Sequence, residues 1–509
     1  MLIPGLTIDD ASDVPVYRQI ADGVRTAAGD GRLRSGHRLP ATRDLARQLG
    51  VNRNTVVAAY DELAAEGWVE SHTGRGTFVA ARSTAPGARG LAGGGAAERW
   101  LPSFSRAVEG PAVQNLHTFY QLAISNEGIS FAGSYPAPDL LPVAAFRSAM
   151  AAALAEHGER VLVYGPTAGY GPLRETIAAR MRADGSRTDA EDVLITNGAQ
   201  QAIDMVFHAF LERGDPVVIE EPTYTGALSV LGSLGARVIG VPVDEEGIRT
   251  DLLAIALERH RPKLLYVQPT FHNPTSGVMS ESRRRTLLAL AARSRCVVVE
   301  DDWAGGLRYE GSELPTLWAL DGGRRTIYLS TFSKKLIPGL RVGWVAAPPA
   351  VIERLLALKQ IRDCGTSPLL QAGLHRFLRD GGLEEHLANV LPAYRRRRDT
   401  MLRALGEHFP AEAAWTRPRG GLFVWSSLPD GADGEELFQA ARQRGVLYSK
   451  GDLFHGSGGG RNMLRLAFSA ASPAEIESGV ATLGELIRER RPEEAQSRMR
   501  QKGQAVPIL

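Results

Sequence analysis

The sequence predicts an α/β chain: a doubly wound, mainly parallel sheet with helices on both faces, preceded by a small winged helix-turn-helix unit. Three observations predict it. Beyond Trp100, short apolar strands alternate with helical stretches, as in parallel sheets joined by crossover helices. Before residue 80, two helical patterns meet at Gly50 and are followed by a glycine-rich hairpin. Between the two regions, residues 80–99 are rich in Gly, Ala, Ser and Pro and offer almost nothing to bury, which reads as a flexible tether.

At 509 residues, with 44% hydrophobic and 23% charged positions, the chain is long enough for more than one domain. Lys+Arg of 59 against Asp+Glu of 57 leaves a net charge of +2, so contact with nucleic acid requires a local basic patch. Cys296 and Cys364 are far apart and lack metal-ligand or CxxC spacing, which argues for a reducing compartment and against a metal site or disulfide framework. The first ten residues lack a basic n-region, and no apolar run reaches the length of a membrane span. The expected location is the cytoplasm, with no membrane partner.

In chain order, Val16, Tyr17, Ile20 and Val24 recur at helical spacing until Gly29 and Gly31. A short helix follows from about residue 39 and is closed by Gly50. Residues 51–55 open the next, with Val56, Val57, Tyr60, Leu63 and Ala64 on its inner face. Strands at 68–70 and 77–79 flank a wing at 72–76. Asn52, Arg53, Asn54 and Thr55 lie at the start of the second helix of the helix-turn-helix pair, the end that enters a major groove. Arginine and asparagine suit base edges, and Thr55 with the helix N-terminus suits a phosphate. Residues 31–60 hold Arg32, Arg34, Arg38, Arg43, Arg47 and Arg53 against Asp44 alone, so the basic patch is local.

In the large region, strands are predicted at 193–196, 216–219, 264–267 and 296–299, with one more at 326–330. Polar residues follow their carboxyl ends, where open α/β sheets bind ligands. Gly198, Ala199 and Gln200 open a helix and form a candidate phosphate-binding segment. Tyr224 fits either a ring stacked on a flat heterocycle or a core position. Asn273 can donate to a phenolate oxygen. Asp301 is the candidate partner for a protonated pyridine nitrogen, with Glu300 and Asp302 as alternatives. Thr331, Ser333, Lys334, Lys335 and Arg341 share one short segment, which fits an aldehyde-bearing phosphate cofactor or a basic turn with solvated lysines. Arg465, between apolar residues on a late strand, calls for a carboxylate from a ligand or from the chain itself.

LPATRDLA, VNRNTV, LAAEGWVE and GRGTFV resemble the GntR-type winged helix over residues 15–79. Residues from about 130 to 485 resemble fold-type I aminotransferases, and the two halves together resemble MocR-type regulators within GntR. The resemblance implies a fold-type I sheet with a smaller C-terminal α+β subdomain. It divides the chain into a DNA-binding domain at 1–80, a linker at 81–110, an effector domain at 111–490 and a tail at 491–509.

By the same resemblance pyridoxal 5'-phosphate (PLP) is the cofactor, and Lys334 rather than Lys335 forms the Schiff base. Asp301 takes the ring nitrogen, Asn273 the ring oxygen, and Tyr224 the ring face. Gly198, Ala199, Gln200, Thr331, Ser333 and Arg341 hold the phosphate, with Tyr164 supplied by a neighbouring subunit. Trp303 stands where the family usually has a tyrosine near the ring oxygen and offers one N–H instead. Arg465 would take the carboxylate of an amino-acid or amine effector. Gly226 leaves no arginine where a GABA-responsive relative has one, which argues against GABA. Arg43, Asn52, Arg53, Asn54, Thr55 and the wing tip Gly74, Arg75 and Gly76 would contact a double-stranded operator. The implied assembly is a head-to-tail, domain-swapped homodimer. The expected function is transcriptional regulation by PLP and an amino compound; an aminotransferase with an accessory N-terminal domain is the rival.

Overall fold

The structure, a computed structural model, describes residues 3, 6, 8, 15–29, 33, 37–65, 68–72, 76–79, 106–124 and 128–490. Arg32, Arg34, Gly74, Arg75, most of the expected tether and the tail at 491–509 lie outside these residues. The chain divides into two units, Met1–Ser103 and Phe104–Leu509.

In the first unit, helices α1 (Val16–Gly29), α2 (Thr42–Leu49) and α3 (Arg53–Ala65) are followed by antiparallel strands β1 (Val69–His72) and β2 (Gly76–Val79). The core is built from Ile20, Val24, Leu45, Val56, Ala59, Tyr60 and Leu63. Val57, expected on the inner face of α3, is only half-buried, and Ala59 is buried instead. The inward stripe is therefore 56, 59, 60 and 63, the spacing of a single helix face. Gly50 closes α2 with its N–H bonded to the Ala46 carbonyl, and Asn52 Oδ1 accepts from the Asn54 N–H at 2.8 Å, capping the start of α3.

In the second unit, β3 is Ile129–Phe131, β4 Val193–Thr196, β5 Pro216–Glu221, β6 Arg237–Asp244, β7 Gly247–Ile248, β8 Leu264–Val267, β9 Val297–Asp302, β10 Thr326–Thr331 and β11 Gly343–Ala346. The large sheet has the order β4-β11-β10-β9-β8-β5-β6-β7. Its strands run parallel except β11, which is inserted antiparallel between β4 and β10, and the edge strand β7. Burial on both faces explains the unbroken apolar runs of β4 and β8. β9 runs three residues further than its apolar stretch suggests, because Glu300, Asp301 and Asp302 remain in the strand with buried side chains.

A smaller sheet is formed by β12 (Ala414–Trp415), β13 (Phe423–Ser427), β15 (Met463–Ala467), β14 (Val446–Lys450) and β3, in that order. Its own core joins Val424, Leu447, Leu464 and Leu466 to the last helix, Pro473–Glu489. Among the described residues no helix is long and apolar enough to cross a membrane.

Candidate functional site

Strands β4, β5, β8, β9 and β10 end on one edge of the large sheet, and the residues at and beyond those ends close a cavity of about 390 Å³. Its lining brings together Ala199, Gln200, Tyr224, Asn273, Asp301, Trp303, Thr331, Ser333, Lys334, Arg341 and Arg465. Gly198 borders it through Arg341: with φ at 82° and a Cβ position only 2.6 Å from Arg341 Nη2, this site excludes a side chain. Tyr164 stands apart, 95% exposed beside Asp363 and Pro368 in a separate surface pocket.

Lys334 lines the cavity, whereas Lys335 lies over the rings of Trp344 and Phe332. Burial, followed by the nearby Arg465 and Arg341 charges, lowers the Lys334 amine to about 8. The neutral, nucleophilic form is thereby brought within reach of neutral pH.

Strand alternation separates the three acids of β9. Asp301 faces the cavity; its Oδ2 accepts from Tyr266 Oη at 2.6 Å and Gln268 Nε2 at 3.1 Å, while its buried Oδ1 has no hydrogen bond among the described residues. Burial outweighs the two donors and raises its carboxyl to about 6. Glu300 instead accepts the Leu317 and Trp318 N–H groups at the start of the helix Leu317–Asp321, both at 2.8 Å. Asp302 accepts from Tyr328 Oη at 2.7 Å.

Arg341 Nη1 donates to Ser333 Oγ at 3.2 Å, Nη2 to the Asn197 carbonyl at 3.4 Å, and Thr331 Oγ1 lies 3.0 Å from Ser333 Oγ. The helix Ala199–Phe210 begins beside them. A guanidinium, two hydroxyls and a helix N-terminus make an anion site. Gln200 links this site to the aromatic wall, since its Oε1 accepts from Tyr224 Oη at 3.0 Å and its Nε2 donates to the Gly226 carbonyl at 3.0 Å.

Arg465 is fully buried on β15. Nη1 donates to Asn273 Oδ1 at 3.0 Å, and Nη2 donates to the Ala132 carbonyl at 2.7 Å and Ser449 Oγ at 3.2 Å. The rings of Phe119, Phe423 and Phe454 surround the guanidinium at 5.1, 4.8 and 5.0 Å, and Nε has no acceptor among the described residues. No described carboxylate bonds to it, and burial lowers this group to about 9. Binding Arg465 through Oδ1 leaves the amide nitrogen of Asn273 as its donor end.

Trp303 lines the cavity, but its single N–H donates to the Phe271 carbonyl at 3.1 Å and its ring stacks on Phe423. The donor expected for a ring oxygen is thus already used. Phe119, Tyr120, Ser134, Gln268 and Pro338 also line the cavity and escaped the sequence reading. Gln268 was discoverable as the polar residue directly after β8. Phe119 and Tyr120 sit on a helix with no recognisable motif.

In the first unit, Asn52, Arg53 and Asn54 are exposed around the start of α3, Arg43 is exposed in the first turn of α2, and Thr55 is half-buried. Gly76 begins β2.

Residues 132–483 match the aminotransferase class I and II family, and residues 16–79 match the bacterial regulatory proteins of the gntR family. An uncharacterized HTH-type transcriptional regulator of Bacillus subtilis is 30% identical over 94% of this chain and 97% of its own length. A probable rhizopine catabolism regulatory protein MocR of Rhizobium meliloti is 29% identical over 94% and 95%. The chain belongs to the MocR-type GntR regulators. Like these full-length relatives, this MocR-type chain joins a DNA-binding helix-turn-helix to an aminotransferase-fold domain. Its larger unit also resembles the α-aminoadipate aminotransferase LysN of Thermus thermophilus, solved with N-(5'-phosphopyridoxyl)-L-leucine, at 38% identity and a TM-score of 0.72, covering 77% of this chain and 98% of that one. Domains of this aminotransferase class typically bind PLP.

Proposed function

We propose that this MocR-type regulator binds PLP in the β-strand-end cavity and responds there to an amino compound, altering its hold on operator DNA. The observation that carries the reading is the amine of the half-buried Lys334 sharing one cavity with an unsatisfied carboxylate oxygen, Asp301 Oδ1. When bound, PLP supplies an aldehyde carbon open to amines and a ring that draws electrons.

With PLP bound, Lys334 would present its neutral amine to that carbon. Asp301 meets the protonated ring nitrogen, which would pair its orphaned oxygen and offset the burial that raises its carboxyl. Arg341, Ser333, Thr331 and the N–H groups at the start of Ala199–Phe210 hold the phosphate. Tyr224 would pack on the ring, Asn273 would donate to the ring oxygen, and Arg465 would take a ligand carboxylate. Arg43, Asn52, Arg53, Asn54 and Thr55 meet the operator, and a homodimer adds Tyr164 from the partner and matches a two-fold site. The coupling required between cavity and operator is about 1–3 kcal/mol.

Full-length protein incubated with PLP should acquire a visible absorbance band. Borohydride should then fix a mass increment on Lys334, and addition of amines should change retention of operator DNA. A colourless protein with no trapped increment would overturn the cofactor reading. Sustained conversion of amino acids with 2-oxo acids, without operator retention, would favour the aminotransferase instead.

A further inference from the structure

The cavity holds four ionisable side chains besides its tyrosines: Asp301, Lys334, Arg341 and Arg465. The proposed function places the first three against PLP, leaving Arg465 for the carboxylate of the amino-acid ligand. No other acid or cation lines the cavity among the described residues. A second carboxylate or a side-chain ammonium on the ligand would lose its water without gaining a counter-ion.

Two of the remaining lining residues, Phe119 and Tyr120, come from the helix Pro111–Ala123. Phe119 is buried, 5.1 Å from the Arg465 guanidinium, and meets the ring of Phe454 edge-on at 6.1 Å. One ring therefore borders both the carboxylate anchor and the space beside it. Tyr120 follows, 42% exposed, with its hydroxyl 3.4 Å from Tyr224 Oη. The helix is fastened to the large unit: Ser229 Oγ donates to the Ala112 carbonyl at 2.7 Å, and a Cβ at Gly232 would stand 2.4 Å from Ala112 Cβ. Phe119 and Tyr120 thus form a fixed, uncharged wall.

We infer that the ligand is an amino acid with one carboxylate and an uncharged, largely apolar side chain, received by Phe119 and Tyr120. This inference rests on the PLP and amino-compound reading of the same cavity. It assigns Phe119 and Tyr120 the selection of the ligand and Arg465 only its anchoring.

The test uses the PLP-loaded full-length protein, titrated separately with L-methionine, L-phenylalanine, L-glutamate and L-lysine and read by the cofactor absorbance band. Methionine and phenylalanine should perturb the band at concentrations at least tenfold lower than glutamate or lysine. An equal or stronger effect of glutamate or lysine overturns the inference and leaves the cofactor reading standing, as does a band that none of the four perturbs. Failure to acquire a band at all overturns the reading beneath the inference, and the inference with it. Tyr120→Arg supplies the missing cation at a partly exposed position of the wall and should improve the glutamate response at least fivefold over the methionine response of the same variant. A folded Tyr120→Arg protein that keeps the band and gains nothing with glutamate overturns the placement of the ligand side chain at Tyr120.

Discussion

Lys359 sets its ammonium against both carboxylate oxygens of Asp363, at 2.9 and 2.7 Å, and has no exposed surface of its own. Asp363 also accepts from Asn197 Nδ2 and Gln201 Nε2, so an ion pair of a buried ammonium and a half-buried carboxylate supports the turn that opens Ala199–Phe210. Breaking the pair leaves Lys359 charged and uncompensated. Asp363→Ala is expected to cost about 3 kcal/mol of stability, read from the denaturant midpoint, and to weaken PLP retention. Lys359→Met combined with Asp363→Leu should cost much less; equal losses would show that the pair is not the support.

Lys334 should set the pH dependence of cofactor uptake. Its amine lies at about 8, below the ordinary value of about 10.4, so the neutral form grows as pH rises through 8. Uptake rate is expected to climb about tenfold per pH unit well below 8 and to level off above about 9. A climb continuing to pH 10 would mark an ordinary, solvated lysine. Between about 8 and 10 the unfolded chain would hold a proton that the native state has released, so this group's contribution to folding stability increases with pH in that window.

Arg465→Met offers a separation of stability from ligand response. Met keeps the packing among the three phenyl rings but strips a donor from Asn273 Oδ1, the Ala132 carbonyl and Ser449 Oγ, so stability should fall by about 1–3 kcal/mol without loss of the fold. PLP absorbance should survive, while the response to amino acids falls at least about tenfold, as expected for a lost charge-assisted hydrogen bond. A normal amino-acid titration would remove Arg465 from the ligand site.

Arg53→Ala tests the other unit. Arg53 is exposed at the first position of α3, and its loss should weaken operator binding by about 1–3 kcal/mol and relax sequence preference. Unchanged affinity in a retardation assay would mean that this end of α3 does not face the groove.

The main sheet was legible because its strands are short apolar runs ending in unusual polar residues: Thr196 on β4, Glu221 on β5 and Asp302 on β9. The choice among Glu300, Asp301 and Asp302 was not, since alternation says that neighbours face opposite sides but not which side holds the cavity. The hydrogen bonds of Glu300 to Leu317 and Trp318 supply that distinction, and they depend on a helix start seventeen residues away. Trp303 was recognised as a departure, but its engagement with the Phe271 carbonyl required the fold of a distant turn. Phe119 and Tyr120 were invisible because a roof is defined only by what lies under it. The reversal of β11 had no local signature.

That reversed strand carries a consequence of its own. Gly343, at its start, pairs with Thr331 on one side and Thr196 on the other, and a methyl group there would come within 2.8 Å of the Gly198 carbonyl carbon and 2.9 Å of the Ala199 nitrogen. One stretch of chain therefore stitches together the two halves of the proposed phosphate cradle, and a single added carbon at 343 would pry them apart. A lineage carrying Gly343→Ala is expected to lose the proposed coenzyme response while its helix-turn-helix, folded around a separate core, stays intact.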